Sequence, residues 1–126
     1  MKFSGLRPLD PGRGTIDVHV PGFGDVDLRN DCDVVDVVLR LTPSDSTLRL
    51  IFESVRHNSK ILIEFLDVRL LEGEYEPLGS VLEEDRTLFE DLMYWLNDDA
   101  EGFSVETAVA HLVFGCSEVT VTAATM

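Results

Sequence analysis

Two apolar runs separated by a short polar stretch occupy the middle of the chain, from Thr47 to Leu71. Their Leu, Ile, Val and Phe content is typical of buried strands. The polar letters between them, RHNS, include the Asn and Ser residues that favour tight turns. We therefore predict a β-hairpin at the centre of a sheet, and the rest of the chain has to fold around it.

The turn suggests a register for this hairpin. A three-residue loop over 57–59, with a left-handed residue at Asn58 or Ser59, places Leu50 opposite Leu66. A two-residue loop would instead place Glu53 opposite Glu64. Like charges directly opposite one another destabilise a sheet by a few tenths of a kcal/mol or more. We therefore predict the three-residue loop.

Further segments have the alternation or the β-branched content of strands. We predict strands over Thr15–Val20, Asp25–Leu28, Asp31–Leu41, Phe103–Val113 and Glu118–Ala124. The first two of these would pair as a hairpin. Asp31–Leu41 also fits a helix, although its β-branched content favours a strand. For the fourth segment, a short helix that begins at Ser104 is the alternative, because the Ser hydroxyl could cap it.

One helix is predicted, from Val81 to Asn97. Ser80 and Glu83 have the S-x-x-E spacing of a capping box. The apolar residues that follow at helical spacing are Leu82, Phe89, Leu92, Met93 and Leu96. These elements predict an α+β fold: an antiparallel sheet of about six or seven strands with the helix 81–97 packed on one face.

The length of 126 residues and the hydrophobic fraction of 44% fit a single folded domain over residues 1–126. Apolar runs are only a few residues long, so we expect no membrane span, and the first residues lack the apolar core of a signal peptide. The expected compartment is the cytoplasm. Cys32 and Cys116 are then expected to be free thiols.

The charge is the most unusual property of the composition. The chain has 24 acidic and 10 basic residues, for a formal net charge of −14. Such a chain repels nucleic-acid phosphates and anionic membranes, so we expect neither direct nucleic-acid binding nor membrane binding. The charge could maintain solubility, adapt the protein to a salty cytoplasm, or form an interface for a basic protein partner.

No catalytic or cofactor-binding motif occurs, so we expect a protein that is not an enzyme and has no cofactor. An enzyme whose carboxylates meet only in the folded chain is the weaker alternative. The best calcium-loop match starts at Asp25 but places Arg29 where an oxygen ligand is required. A looser divalent-ion site built from Asp31, Asp33 and Asp36 is left open, and no metal site is predicted.

Acidic residues cluster in the second half of the chain, and we predict that they form one partner-binding surface. Its predicted members are Glu72, Glu74, Tyr75, Glu76, Glu83, Glu84, Glu90, Asp91, Asp98, Asp99 and Glu101. An aromatic residue amid charge is typical of binding hot spots.

The leading functional hypothesis is a small acidic inhibitor or immunity-type protein that blocks a basic partner such as a nuclease toxin. The alternative is a structural or assembly subunit with a salt-adapted surface. An exposed sheet edge would also permit a homodimer.

Overall fold

The computed structural model describes all 126 residues and consists of strands joined by turns and loops. The strands are β1 (Lys2–Ser4), β2 (Gly14–Thr15), β3 (Asp17–Val20), β4 (Gly24–Asp27), β5 (Asp33–Thr42), β6 (Asp45–Ser54), β7 (Ser59–Leu66), β8 (Arg69–Tyr75), β9 (Phe89–Asn97), β10 (Ala100–Thr107), β11 (Ala110–Gly115) and β12 (Glu118–Thr125). The only helices are two single turns of 3-10 helix, Leu78–Ser80 and Glu83–Asp85. None of these helices is long or apolar enough to cross a membrane.

The strands form two five-stranded sheets and a two-stranded ribbon. The first sheet has the order β1-β12-β7-β6-β5, and the second sheet has the order β2-β9-β10-β11-β8. The ribbon pairs β3 with β4, as the sequence predicted. All pairs are antiparallel except β1 with β12.

The two sheets pack face to face through aromatic side chains. Phe65 of the first sheet lies 5.0 Å from Phe103 and 4.9 Å from Phe114 of the second, between ring centroids. Phe52 and Phe89 meet across the same interface at 5.4 Å. These side chains belong to one cluster of 23 buried apolar residues, which also takes in the ribbon. The fold is therefore a β-sandwich with a shared core.

The predicted central hairpin is present as β6 and β7, but its predicted register is wrong. The loop has four residues, 55–58, with Asn58 in the left-handed conformation at a φ of 48°. Leu50 lies opposite Ile63 instead of Leu66, a shift of three residues. The observed register turns six fully buried side chains to one face; they are Leu48, Leu50, Phe52, Ile61, Ile63 and Phe65.

The predicted helix over 81–97 is also wrong, and with it the α+β class. The Ser80 hydroxyl donates to the Pro77 carbonyl at 2.7 Å, so it closes a turn and caps no helix. Residues 89–97 form strand β9, in which Leu92 and Tyr94 are buried on the inner face. Leu82 is 66% exposed, so the helical apolar stripe has no counterpart in the structure. The protein is nearly all β, with two sheets in place of one.

The segment predicted as one strand over Phe103–Val113 contains a tight turn. The Thr107 hydroxyl accepts hydrogen bonds from the amides of Val109 and Ala110, which ends β10 and starts β11. The alternative helix from Ser104 does not form. Strands are found where Asp31–Leu41 and Glu118–Ala124 were predicted.

Candidate functional site

The residues predicted to bind a partner lie on the second sheet and its loops, including those that the predicted helix would have carried. Strand β8 and the residue after it carry the first four, a 3-10 turn carries Glu83 and Glu84, and β9, β10 and the turn between them carry the rest. The sheet therefore takes the place of the predicted helix as the support for these side chains.

The outward side of the second sheet has a row of charged residues across four strands. Asp91 on β9 lies opposite Glu106 on β10, Glu106 lies opposite His111 on β11, and His111 lies opposite Glu74 on β8. Residues directly opposite one another point to the same face of a sheet. Two carboxylates of the row are thus direct neighbours, and a third lies beyond the histidine.

A shallow cleft of about 250 Å³ lies along this row. Four carboxylates line it, those of Glu74, Glu76, Glu90 and Glu106, together with His111. None of the four forms a salt bridge within the chain. We call these carboxylates, with those of Glu72 and Asp91, the acidic face.

Sequence reasoning missed two members of this row, Glu106 and His111. They flank the β10–β11 turn, and they become neighbours only when that turn is recognised. The signal available in the sequence was the Thr107 hydroxyl three residues before Ala110, a spacing that can close a turn.

The charge of the chain is concentrated in the segment that supplies β9 and parts of β8 and β10 to this sheet. The segment from Glu72 to Glu106 contains twelve acidic residues and one basic residue, Arg86, for a formal charge of −11. The rest of the chain accounts for only −3 of the total of −14. Arg86 donates hydrogen bonds to the carbonyls of Val81 and Leu78, so its guanidinium is held by the backbone of its own loop.

Glu101 differs from the other predicted residues because it is paired within the chain. Its carboxylate accepts a hydrogen bond from the Tyr94 hydroxyl at 2.7 Å and forms an ion pair with the amino group of Met1. The amino group of Met1 holds the pKa of Glu101 below its usual value, against the opposing effect of burial. Burial raises the pKa of Tyr94 to about 12, with the Glu101 hydrogen bond acting in the same direction. Glu101 therefore has a structural partner already.

Tyr75 also lies apart from the acidic face, on the other side of β8. It lies opposite Ala110, and both line a groove between the end strands β5 and β8. We call it the β5–β8 groove; its volume is about 740 Å³ and most of its lining is apolar. Glu74 lines both this groove and the acidic cleft, so the two sites share one border.

The outward face of the second sheet also supports the single tryptophan. Trp95 lies opposite Gly102, and its ring occupies the space above that glycine, where a Cβ atom would lie 2.6 Å from the ring. The same Cβ would lie 1.9 Å from the Phe114 carbonyl oxygen. The indole nitrogen is buried and has no hydrogen-bond partner within the chain. Glycine is required here because the ring and a neighbouring strand approach the backbone closely.

A second cleft, of about 540 Å³, contains two histidine–aspartate pairs. His19 Nδ1 lies 2.7 Å from Asp25 Oδ1, and His57 Nε2 lies 3.5 Å from Asp31 Oδ2. Asp31 also accepts a hydrogen bond from Arg56 at 3.0 Å. Such pairs can exchange protons with a ligand. The lining has no Ser, Thr or Cys, so it lacks the hydroxyl or thiol that nucleophilic catalysis uses.

The neighbouring Asp27 has a structural role in the turn after β4. It accepts hydrogen bonds from the amides of Arg29 and Asn30 and from the Asn30 side chain. Burial raises the pKa of Asp27, but these hydrogen bonds outweigh that effect and leave it below its usual value. Its carboxylate is thus committed to the local backbone.

The three aspartates considered as a looser metal site point to different partners. Asp31 pairs with Arg56, Asp33 accepts a hydrogen bond from the Thr87 hydroxyl at 3.0 Å, and Asp36 lines the β5–β8 groove. No group of three or more His, Cys, Asp or Glu side chains is arranged to hold a metal ion.

Both cysteines are free and buried, as expected from the sequence. Burial raises the pKa of the Cys32 thiol to about 11 and that of the Cys116 thiol to about 12. Since the thiolate is the reactive form, neither cysteine is activated as a nucleophile.

Comparison of the chain with protein-family models, with curated proteins and with solved structures finds no match.

Proposed function

We propose that the chain is a non-enzymatic binding protein whose acidic face holds a basic protein partner, in the manner of an inhibitor or immunity-type protein. The observation that carries this proposal is the distribution of charge: −11 over Glu72–Glu106 against −3 over the rest of the chain. A surface adapted only to salt or to solubility would spread its acidic groups more evenly. The concentration in one segment, most of which forms strands of the second sheet, favours a partner instead.

Most carboxylates of the acidic face have no partner within the chain. Asp91 accepts a hydrogen bond from the Thr15 amide at 2.9 Å, while the other carboxylates of the face make no side-chain hydrogen bond. Their charge is therefore available to attract cationic groups.

A nuclease or another nucleic-acid-binding protein fits as the partner, because its phosphate-binding surface is cationic. Electrostatic attraction would accelerate the encounter, and the bound sheet would then cover the site where phosphate normally lies. We place this interaction in the cytoplasm, where the two buried thiols would stay reduced.

Two matched triple variants test the proposal. The face variant is Glu74→Lys, Glu90→Lys and Glu106→Lys, and the control variant is Asp10→Lys, Asp17→Lys and Asp45→Lys; both move the formal net charge from −14 to −8. Each protein is immobilised and exposed to extract of the source cell, and captured proteins are identified by mass spectrometry. We expect a basic protein to be retained by the native chain and the control variant and lost by the face variant.

The captured protein is then assayed for nuclease activity with and without the native chain. Inhibition by the native chain and by the control variant, but not by the face variant, would support the inhibitor role. Equal capture by both triple variants would refute the assignment to the acidic face, since net charge alone would then explain the binding.

A further inference from the structure

The β5–β8 groove is an open side of the sandwich. β5 and β8 are the end strands of the two sheets, and neither has a neighbour on its outer edge. Apolar side chains line the space between them without being covered: Leu39 is 37% exposed, Leu78 46% and Tyr75 67%. Leu39 lies opposite the buried Leu48, so it belongs to the inner layer that the core fills elsewhere.

The backbone along this side is also unpaired. The Val34 amide donates to the Thr87 carbonyl at 2.9 Å, but from Val35 to Thr42 strand β5 forms backbone hydrogen bonds only toward β6. Edge strands are commonly protected by charged side chains, proline, a β-bulge or a covering loop. A bulge interrupts β5 at Val35, but residues 36–42 have regular pairing with β6 and no proline, and their charged side chains are those of Asp36 and Arg40. An extended segment could therefore add to this edge, as in strand addition to other sheets.

The charges at the β5–β8 groove indicate which kind of extended segment it would bind. Asp36 lies opposite Ile51 and Glu74 opposite His111, so both side chains point to the outer faces of their sheets and place their carboxylates at the two rims of the groove. The one guanidinium in the lining, that of Arg86, is bound to backbone carbonyls. A second copy of the chain would bring another formal charge of −14 to this site. Like charges at an interface oppose association. A basic segment has the complementary charge.

We propose that the β5–β8 groove binds an extended segment of a basic partner, with alternate apolar side chains entering the groove and alternate Lys or Arg side chains facing its acidic rims. This inference rests on the proposed function and specifies how the partner is recognised. The shared border at Glu74 lets one partner occupy the groove and the acidic face together. The groove supplies apolar recognition, and the face supplies charge.

The test uses three synthetic eight-residue peptides, which alternate valine with lysine, valine with glutamate, and serine with lysine. Each is titrated into the ¹⁵N-labelled protein, and amide chemical shifts report the affinity and the location of binding. We expect the valine–lysine peptide to shift the amides of Val35–Leu39 and Gly73–Tyr75. The other two peptides should bind at least about tenfold more weakly, since one lacks the charge and the other lacks the apolar side chains.

Two variants separate the groove from the acidic face. The groove variant, Leu39→Asn with Tyr75→Ser, changes exposed side chains and should fold normally while losing at least about tenfold in affinity for the valine–lysine peptide. The variant Glu90→Lys with Glu106→Lys leaves the groove lining unchanged and should lose less. Unchanged binding to the groove variant, or no binding to the native chain, overturns the groove proposal alone. Sedimentation as a dimer that the groove variant abolishes would identify a second copy as the occupant and would also overturn it.

Discussion

The outward faces of the two sheets differ in how charged residues are paired across their strands. On the first sheet, Arg49 lies opposite Glu64 and forms a salt bridge with it. Glu53 lies opposite Asp33 on β5, but it also has the cationic Lys60 opposite it on β7. On the second sheet, Asp91 lies opposite Glu106 with no cation between them. Cross-strand pairs of opposite charge stabilise a sheet, and pairs of like charge destabilise it. The first sheet thus pairs charges of opposite sign across its strands, whereas the second places two carboxylates side by side.

The largest expected effect concerns the close packing beneath the second face. Gly102→Val should lower the free energy of unfolding by about 3 kcal/mol or more, because its side chain would meet the Phe114 carbonyl and the Trp95 ring. Urea denaturation measures the change. Gly79→Val is the matched control, since a Cβ at Gly79 meets nothing within 4 Å. A small effect at Gly102 would mean that the second face does not depend on this glycine.

The next effect compares charge reversals on the two faces. Glu64→Lys should lower the free energy of unfolding by about 0.5–1 kcal/mol, because it replaces the salt bridge with Arg49 by a like-charge pair. Glu106→Lys should leave it unchanged or raise it by a few tenths of a kcal/mol, because it removes the repulsion from Asp91. Urea midpoints of the two variants give the comparison. The same sign for both changes would contradict the contrast between the sheets.

The dependence of stability on salt gives a further comparison. Raising NaCl from about 0.02 M to about 0.5 M screens repulsion between the acidic groups, so the native chain should gain up to about 1 kcal/mol in the free energy of unfolding. The variant Glu74→Lys, Glu90→Lys and Glu106→Lys should gain less than the control variant Asp10→Lys, Asp17→Lys and Asp45→Lys, although the two have equal net charge. Equal gains would indicate that repulsion is not concentrated on the acidic face.

The smallest effect concerns Glu101, the paired carboxylate of the second sheet. Its pKa is lower in the folded chain than in the unfolded chain, so the stability it contributes is present above its ordinary pKa and is lost as pH falls through the lower folded value. Glu101→Gln should therefore be less stable than the native chain at neutral pH and should lose less stability on acidification. Acid denaturation followed by circular dichroism measures this loss.

Acetylation of the amino group of Met1 is the matching change on the other side of the Glu101 ion pair. It removes the positive charge that holds the pKa of Glu101 down. It should therefore reproduce part of the effect of Glu101→Gln. An acetylated chain with the native acid profile would show that the Met1 amino group is not the cause.

Strands β3 to β7 and β10 to β12 overlap segments that were predicted as strands, whereas β1 and β9 were not predicted as strands. The predicted hairpin register was wrong because it was chosen on a weak energetic effect. The prediction avoided Glu53 opposite Glu64, a repulsion of a few tenths of a kcal/mol. Each large apolar side chain that is buried contributes about 1.5–3 kcal/mol. Alternation in β6 and β7 places three such residues from each strand on one face, and this pattern excludes the predicted register, which would turn the two sets to opposite faces.

The helix error has a different physical origin. The pairing of β9 with β10 contains a bulge at Glu90. The consecutive residues Glu106 and Thr107 of β10 pair with Asp91 and Phe89 of β9, so Glu90 is an extra residue without a partner. This irregularity breaks the two-residue period between Phe89 and Leu92, and the resulting spacing of three imitates a helix. The acidic face was only partly predictable. Its residues lie on adjacent strands, and the pairing of these strands depends on turns, such as the one at Thr107, that were not recognised in the sequence.

The position of Trp95 makes its intrinsic fluorescence a probe of binding to the second sheet. It is the only tryptophan, and it lies on the same outward surface as the acidic row, several residues along β9 from Asp91. Intrinsic fluorescence therefore reads out events on that surface without an added label. A ligand that covers it should alter the emission, whereas one confined to the opposite side of β8 should leave the spectrum as it was.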